Sequence, residues 1–117
     1  TNEIVKIPKA NIRFEKWLGE PLEDDYKKTV LNFNSEPLFA ELIILRILQN
    51  EGWKGVWVDS FRRKYRTDWI NKNGVELPSK KQVFLNNIYK NLGSKKGCWD
   101  IFCWKDEKIL FIESKTL

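Results

Sequence analysis

Three charged residues have the types and spacing for hydrolytic chemistry: Asp100, Glu113 and Lys115. Asp100 interrupts an apolar run, Gly97-Cys98-Trp99-Asp100-Ile101-Phe102-Cys103-Trp104, while Glu113 and Lys115 close a second run that begins at Ile109. An acid between Trp99 and Ile101 is not where a solvated carboxylate is expected. Lys105-Asp106-Glu107-Lys108 separates the runs and predicts a β-hairpin. Whether its turn takes two residues or all four, Trp104 faces Ile109 and Asp100 faces Glu113. Period-two alternation then gathers Asp100, Phe102, Phe111, Glu113 and Lys115 on one face. Opposed carboxylates with Cβ atoms about 5 Å apart repel, so the arrangement asks for a cation, and a hard, oxygen-seeking ion such as Mg²⁺ fits best. Such an ion polarises a phosphodiester and sharpens a bound water, while an ammonium steadies that water or the charge developing at phosphorus. The bland alternative is a solvated hairpin end, with Glu113 and Lys115 as a surface pair of little worth.

The elements that would hold these residues can be read outward from them. Ser35-Glu36-Pro37 reads as a helix start and Gly52 as its stop, which predicts a helix over 36–51. Leu38, Leu42, Ile44, Leu45 and Leu48 form its apolar arc, and Glu41 falls inside that arc. A buried carboxylate is costly unless it is paired or binds metal; pairing with a Lys or Arg at the core edge is the plainer option. Residues 55–61 read as a strand that opens into Arg62, Arg63, Lys64 and Arg66, interleaved with Tyr65 and closed by Trp69. Cations alternating with aromatics suit phosphates and stacked bases, although strand exits are also basic for edge protection. A second helix starts at Ser79 and stops at Gly93, with Val83, Leu85, Ile88 and Leu92 on its buried side, and reads as a packing element. The stretch before residue 35 reads as an irregular arm with one short helix around 26–31. The expectation is an α/β fold in one domain over 1–117, with an arm at 1–34 and a core at 35–117. In it the first helix packs on a small mixed or antiparallel sheet with strands near 55–61, 98–104 and 108–115.

Composition narrows the function classes. With 42% hydrophobic residues, 14% aromatic residues and six Trp, the chain can bury a core. It has no His, which removes imidazole acid–base chemistry, and two Cys, too few for a Cys/His zinc site. Cys98 and Cys103 are five apart in one predicted strand, so they point to opposite faces and do not pair. Residues 1–59 carry 8 Lys/Arg against 10 Asp/Glu, a balance of −2, and residues 60–117 carry 13 against 6, a balance of +7. A polyanion would settle on the second half, which includes Lys95 and Lys96; a merely solvated lysine surface is an even alternative. The longest apolar stretch, 38–48, is broken by Glu41 and Arg46 and is shorter than the roughly 20 residues of a membrane span. With no signal-peptide layout, an intracellular (cytoplasmic) setting is expected. Thr1 comes first and no Met occurs, so the chain reads as trimmed from a longer product.

Taken together, Gly97-Cys98-Trp99-Asp100-Ile101 and Phe111-Ile112-Glu113-Ser114-Lys115 resemble the Asp…Glu-x-Lys signature of the PD-(D/E)xK nucleases. The layout is most similar to the VRR-NUC branch, in which a glycine-containing turn precedes the aspartate and a helical glutamate lies upstream. The resemblance covers roughly 35–115, and its force lies in the order of elements rather than in the short motif. It implies a restriction-endonuclease-like core and Mg²⁺- or Mn²⁺-dependent hydrolysis of DNA, with RNA also open. It implies that Asp100 and Glu113 bind metal, that Ser114 offers its backbone carbonyl, that Lys115 assists the attacking water, and that Glu41 supports the metal. Trp99 stands where the family usually has proline. The family core continues past the lysine into a further helix and strand, so the resemblance implies a core cut short after the Glu-x-Lys strand, to be completed by following residues, a homodimer or a second chain. Two other readings stand beside it: a non-catalytic nucleic-acid-binding module on the same fold, and a protein-interaction domain with an aromatic surface.

Overall fold

The computed structural model describes residues 9, 11–20, 29–59, 64–68, 73–92 and 99–115. Its elements are β1 (Glu15–Lys16), β2 (Leu31–Phe33), β3 (Glu36–Leu38), α1 (Ala40–Asn50), β4 (Lys54–Asp59), β5 (Lys64–Arg66), α2 (Ser79–Leu92), β6 (Ile101–Lys105) and β7 (Lys108–Ile112). They form an α/β protein with two antiparallel sheets, ordered β1-β2-β3 and β5-β4-β6-β7. Among the described residues, no helix is long and apolar enough to cross a membrane.

The four-stranded sheet is apolar on both faces, which decides what must cover it. Trp57, Ile101 and Cys103 pack with Leu42, Ile43 and Leu45 of α1, and Leu31 and Phe33 of the small sheet, with Phe14 just before it, add to that side. On the opposite face Val56 and Phe102 pack with Leu85 and Tyr89 of α2, joined by Tyr65, Trp99, Trp104 and Phe111. The two sets alternate along β4 and β6, as a pleated strand requires. Stacked rings fill the α2 side: Trp99 lies 4.0 Å from Phe111 and Phe102 lies 5.1 Å from Phe111, centroid to centroid.

The hairpin register follows the sequence expectation, with Trp104 opposite Ile109 and Ile101 opposite Ile112. Its turn uses two residues, Asp106 and Glu107, and Asp106 takes a left-handed φ of 54°. Gly52, with φ 92°, ends α1 as predicted.

Other expectations are corrected. The helix over 36–51 begins only at Ala40, because Glu36–Leu38 is strand β3. Asn34 and Ser35 have φ of 50° and 68°, the doubly left-handed turn that joins twisted strands, and the Ser35 N–H donates to Asn32 Oδ1 at 2.9 Å. Ser35-Glu36-Pro37 is therefore the far arm of a hairpin, and Pro37 is tolerated because β3 is an edge strand. The arm before residue 35 is not wholly irregular, since 15–16 and 31–33 are strands of the small sheet. Of the short helix expected at 26–31, residues 26–28 lie outside the described residues and Leu31 lies in β2. Val83, expected in the core, is 58% exposed, while Tyr89 is buried in its stead.

Close packing of β4 on β6 depends on Gly55. A Cβ there would fall on Cys103 Sγ and 2.8 Å from the carbonyl oxygen of Phe102. Gly55→Ala should lower stability by about 1–3 kcal/mol, the usual cost of overpacking; an unchanged urea midpoint would contradict this. Burial also pushes the Cys103 thiol up from its ordinary 9.0 to about 11. Between those values the unfolded chain loses its proton and the folded chain keeps it, so stability should fall as pH rises through that window. In a Cys98→Ser background, Cys103 should resist alkylation at pH 8 until urea unfolds the protein, and ready labelling of native protein would show that the thiol is not sealed.

Candidate active site

The connection after α1 is short, and it sets which ends of the elements meet. Trp53 N–H donates to Leu48 O at 3.0 Å and Lys105 Nζ to Glu51 O at 2.8 Å, so the C-terminal end of α1 sits beside the β6–β7 turn. The other end of α1 lies against the second half of β4, where the Phe39 ring meets Trp57 edge-on at 5.8 Å. Glu41, in the first turn, is therefore at the end of the sheet where β4 finishes, β6 begins and β7 finishes. Asp100 and Glu113-Ser114-Lys115 flank β6 and β7 at that same end.

Asp100 sits at a bend. Trp99 packs on the α2 side and Ile101 on the α1 side, so strict alternation is broken at the residue between them. Regular pairing stops at Ile101 and Ile112. Beyond it, Asp100 N–H donates to Ile112 O at 3.0 Å and Asp100 O accepts from Val58 N–H at 2.8 Å, which ties the bend to both neighbouring strands. Its carboxylate Oδ2 accepts the Ser114 N–H at 2.7 Å. A backbone donor just past the end of a ladder lacks a strand carbonyl, and a charged acceptor at this distance is a strong substitute. The ordered end of β7 is thereby clipped to the start of β6 by the side chain singled out from sequence.

Glu113 and Lys115 are exposed and pair with each other, Nζ to Oε1, at 3.8 Å. The structure thus joins Asp100 to Ser114 and Glu113 to Lys115, whereas the regular cross-strand pair expected between Asp100 and Glu113 does not form, because the ladder ends one residue earlier. Glu41 is buried, at 9% exposure, on the α1 side of the sheet. Among the described residues, no group of three or more His, Cys, Asp or Glu side chains is close enough to hold a metal ion by itself. The two carboxylates read from sequence, with the backbone carbonyl that the resemblance implies, are hard oxygen ligands of the kind Mg²⁺ accepts with waters filling the remaining positions.

The basic cluster divides. Lys64 is half-buried in β5. Arg66, expected to grip phosphate, has no exposed surface: its guanidinium lies 5.3 Å from the Trp57 ring centroid and pairs with Asp59 Oδ2 at 3.3 Å. It is a core residue here, since a side chain directly opposite Trp57 on the α1 face is carried inward by the pleat. Arg62, Arg63, Lys95 and Lys96 lie outside the described residues. Sequence reading passed over Asp59, which is 4% exposed at the end of β4. Its signal was available: in Val56-Trp57-Val58-Asp59 it shares a face with Trp57, and an acid on that face needs a cation. Phe39, Trp57, Arg66 and Asp59 form one braced path from the start of α1 to β5.

Removing one member of a buried pair leaves the other uncompensated. Arg66→Ala should destabilise the protein by about 3–5 kcal/mol, and Asp59→Leu/Arg66→Met together by much less. Equal losses from the single and double changes in chemical denaturation would show that the pair is not coupled.

Comparison with known proteins gives no matching family model, no matching curated protein and no matching solved structure.

Proposed function

We propose that the chain is a Mg²⁺- or Mn²⁺-dependent nuclease with a restriction-endonuclease-like core, acting on DNA phosphodiester bonds. The observation that carries this reading is the 2.7 Å clip from the Ser114 N–H to Asp100 Oδ2, which holds an aspartate at the start of one central strand against the Glu113-Ser114-Lys115 end of its neighbour. The order helix with inward glutamate, strand, strand after the aspartate, strand before Glu-x-Lys supports it as well.

In this reading Asp100 and Glu113 would hold the metal, the Ser114 carbonyl would add a third oxygen, and Glu41 would support the set from α1. The Ser114 N–H takes one of the about four lone-pair sites of the Asp100 carboxylate. The bound ion supplies charge stabilisation at phosphorus and a more acidic water. Lys115 would be free to orient an attacking water once its loose surface pairing with Glu113 is exchanged, a small cost because exposed pairs of this kind are weak.

A second reading, a nucleic-acid-binding module without cleavage, is favoured by one observation: the Glu113 carboxylate is satisfied by Lys115 at the surface, as in an ordinary solvated strand end. A cleavage assay on plasmid and branched DNA separates the two. Asp100→Asn keeps an oxygen for the Ser114 N–H and should fold as the parent does, yet lose cleavage by at least roughly a hundredfold, the scale of removing one transition-state charge stabiliser. Lys115→Ala should lose a similar amount, chelator should abolish activity, and DNA binding should survive all three. Full cleavage by Asp100→Asn protein would end the assignment of the active site to Asp100, whereas tight binding with no cleavage by the parent would favour the second reading.

A further inference from the structure

Helix α2 carries a face that its packing does not explain. Its inner side is occupied: Leu85 and Tyr89 are buried, and Phe84 stacks on Phe102 and Phe111 at 6.3 Å from each. Its outer side presents Lys80, Val83, Asn86, Asn87, Lys90 and Asn91, all exposed, which at 100° per residue lie on one arc. No acid occurs in Ser79–Leu92, so neither outer lysine has, within the helix, the acidic neighbour one turn away that supports solvated helices. Asparagine is a poor helix former, because its amide competes for backbone hydrogen bonds. Three of them on an exposed helical arc weaken the element without any gain in packing. Local rules broken in this way mark functional positions. Gln82 Nε2 donates to Asn86 Oδ1 at 3.0 Å, which holds that amide in one orientation.

We propose that the outer face of α2 docks in the major groove of B-form duplex DNA. This rests on the nucleic-acid reading of the chain but not on cleavage. A helix about 10–12 Å across matches a groove about 12 Å wide. Lys80 and Lys90 stand about 15 Å apart along the axis, so they bracket the amides and face phosphates beyond them. Asparagine pairs with the N6 and N7 edge of adenine, and Val83 offers an apolar contact for a thymine methyl. Charge agrees, since residues 60–117 hold 13 Lys/Arg against 6 Asp/Glu. Double-stranded RNA does not fit, because its major groove is too deep and narrow for side chains to read.

The test is binding of a duplex of about two helical turns, measured with chelator present so that cleavage plays no part in the readout. Lys80→Ala/Lys90→Ala should reduce the slope of log affinity against log salt by about 1.8, so that between about 50 and 200 mM salt the parent loses roughly twelvefold more affinity than the variant. Asn87→Ala should weaken duplex binding roughly tenfold and at the same time raise Tm, since alanine is the better helix former; a structural role would move Tm the other way. Unchanged slope and affinity in both variants would overturn the proposal, as would binding of single-stranded DNA or double-stranded RNA as tight as that of the duplex. Loss of cleavage in Asp100→Asn bears on the active site alone, so the two readings fail separately.

Discussion

Everything at the candidate site hangs on the central strand β6 being sealed from water on both sides. Ile101, Phe102 and Cys103 have no exposed surface, and they point alternately to α1 and to α2. Burying side chains such as Ile101 and Phe102 contributes about 1.5–3 kcal/mol each. A one-residue slip against β4 would send each to the wrong layer, and it would also bring a side chain against Phe102 O where Gly55 now offers none. The register of the β6–β7 hairpin is fixed by packing at its middle, so the end of the hairpin where Asp100 and Ser114 meet is positioned before either of them contributes. Chemistry at a strand end is served by rigidity two residues inside it.

The same end of the sheet also holds charge that the core must accommodate. Asp59 and Arg66 are almost fully buried, and a pair of that kind costs desolvation that its mutual attraction only roughly offsets. What the pair provides is direction. Arg66 must sit over Trp57 and beside Asp59, which sets β5 against β4 in one register where three short rungs alone would leave slippage open. Phe39 against Trp57 extends that brace to the first turn of α1, two residues from Glu41.

How far the sequence alone revealed this depends on the range of the interaction. Trp104 opposite Ile109 was legible, because two long alternating runs around a short polar turn admit one pairing. Glu41 inside an apolar arc was legible for the same reason of strong periodicity, and so was the stop at Gly52. Ser35-Glu36-Pro37 misled because hydroxyl, acid and proline suit a helix start and an edge strand equally; only Asn34-Ser35 in the left-handed region decides, and that follows from the pairing of Leu31–Phe33 with Glu36–Leu38. Strands of two or three residues leave too little periodicity to read. Arg66 was misjudged because a basic run looks the same whether its members face solvent or core, and the partner that draws Arg66 inward is seven residues back on another strand. The break in alternation at Asp100 was illegible for a related cause: it arises where the ladder ends, and nothing in the residue pattern says where that is.

That break bears directly on the chemistry proposed. Had the ladder continued, Asp100 and Glu113 would face each other as two like charges held at close range, a repulsion to be relieved only by a cation. Instead Asp100 turns in toward the Ser114 N–H, and Glu113 turns out to Lys115. The two carboxylates nevertheless remain on adjacent strand ends, linked through one residue, Ser114, that bonds to the first acid and follows the second. Drawing Glu113 inward requires rotation of an exposed side chain and exchange of a weak pair, with no change in the backbone bonds that tie Asp100 to Val58 and Ile112. In the proposed nuclease reading an approaching polyanion would favour that rotation, because phosphate would compete with Glu113 for the Lys115 ammonium.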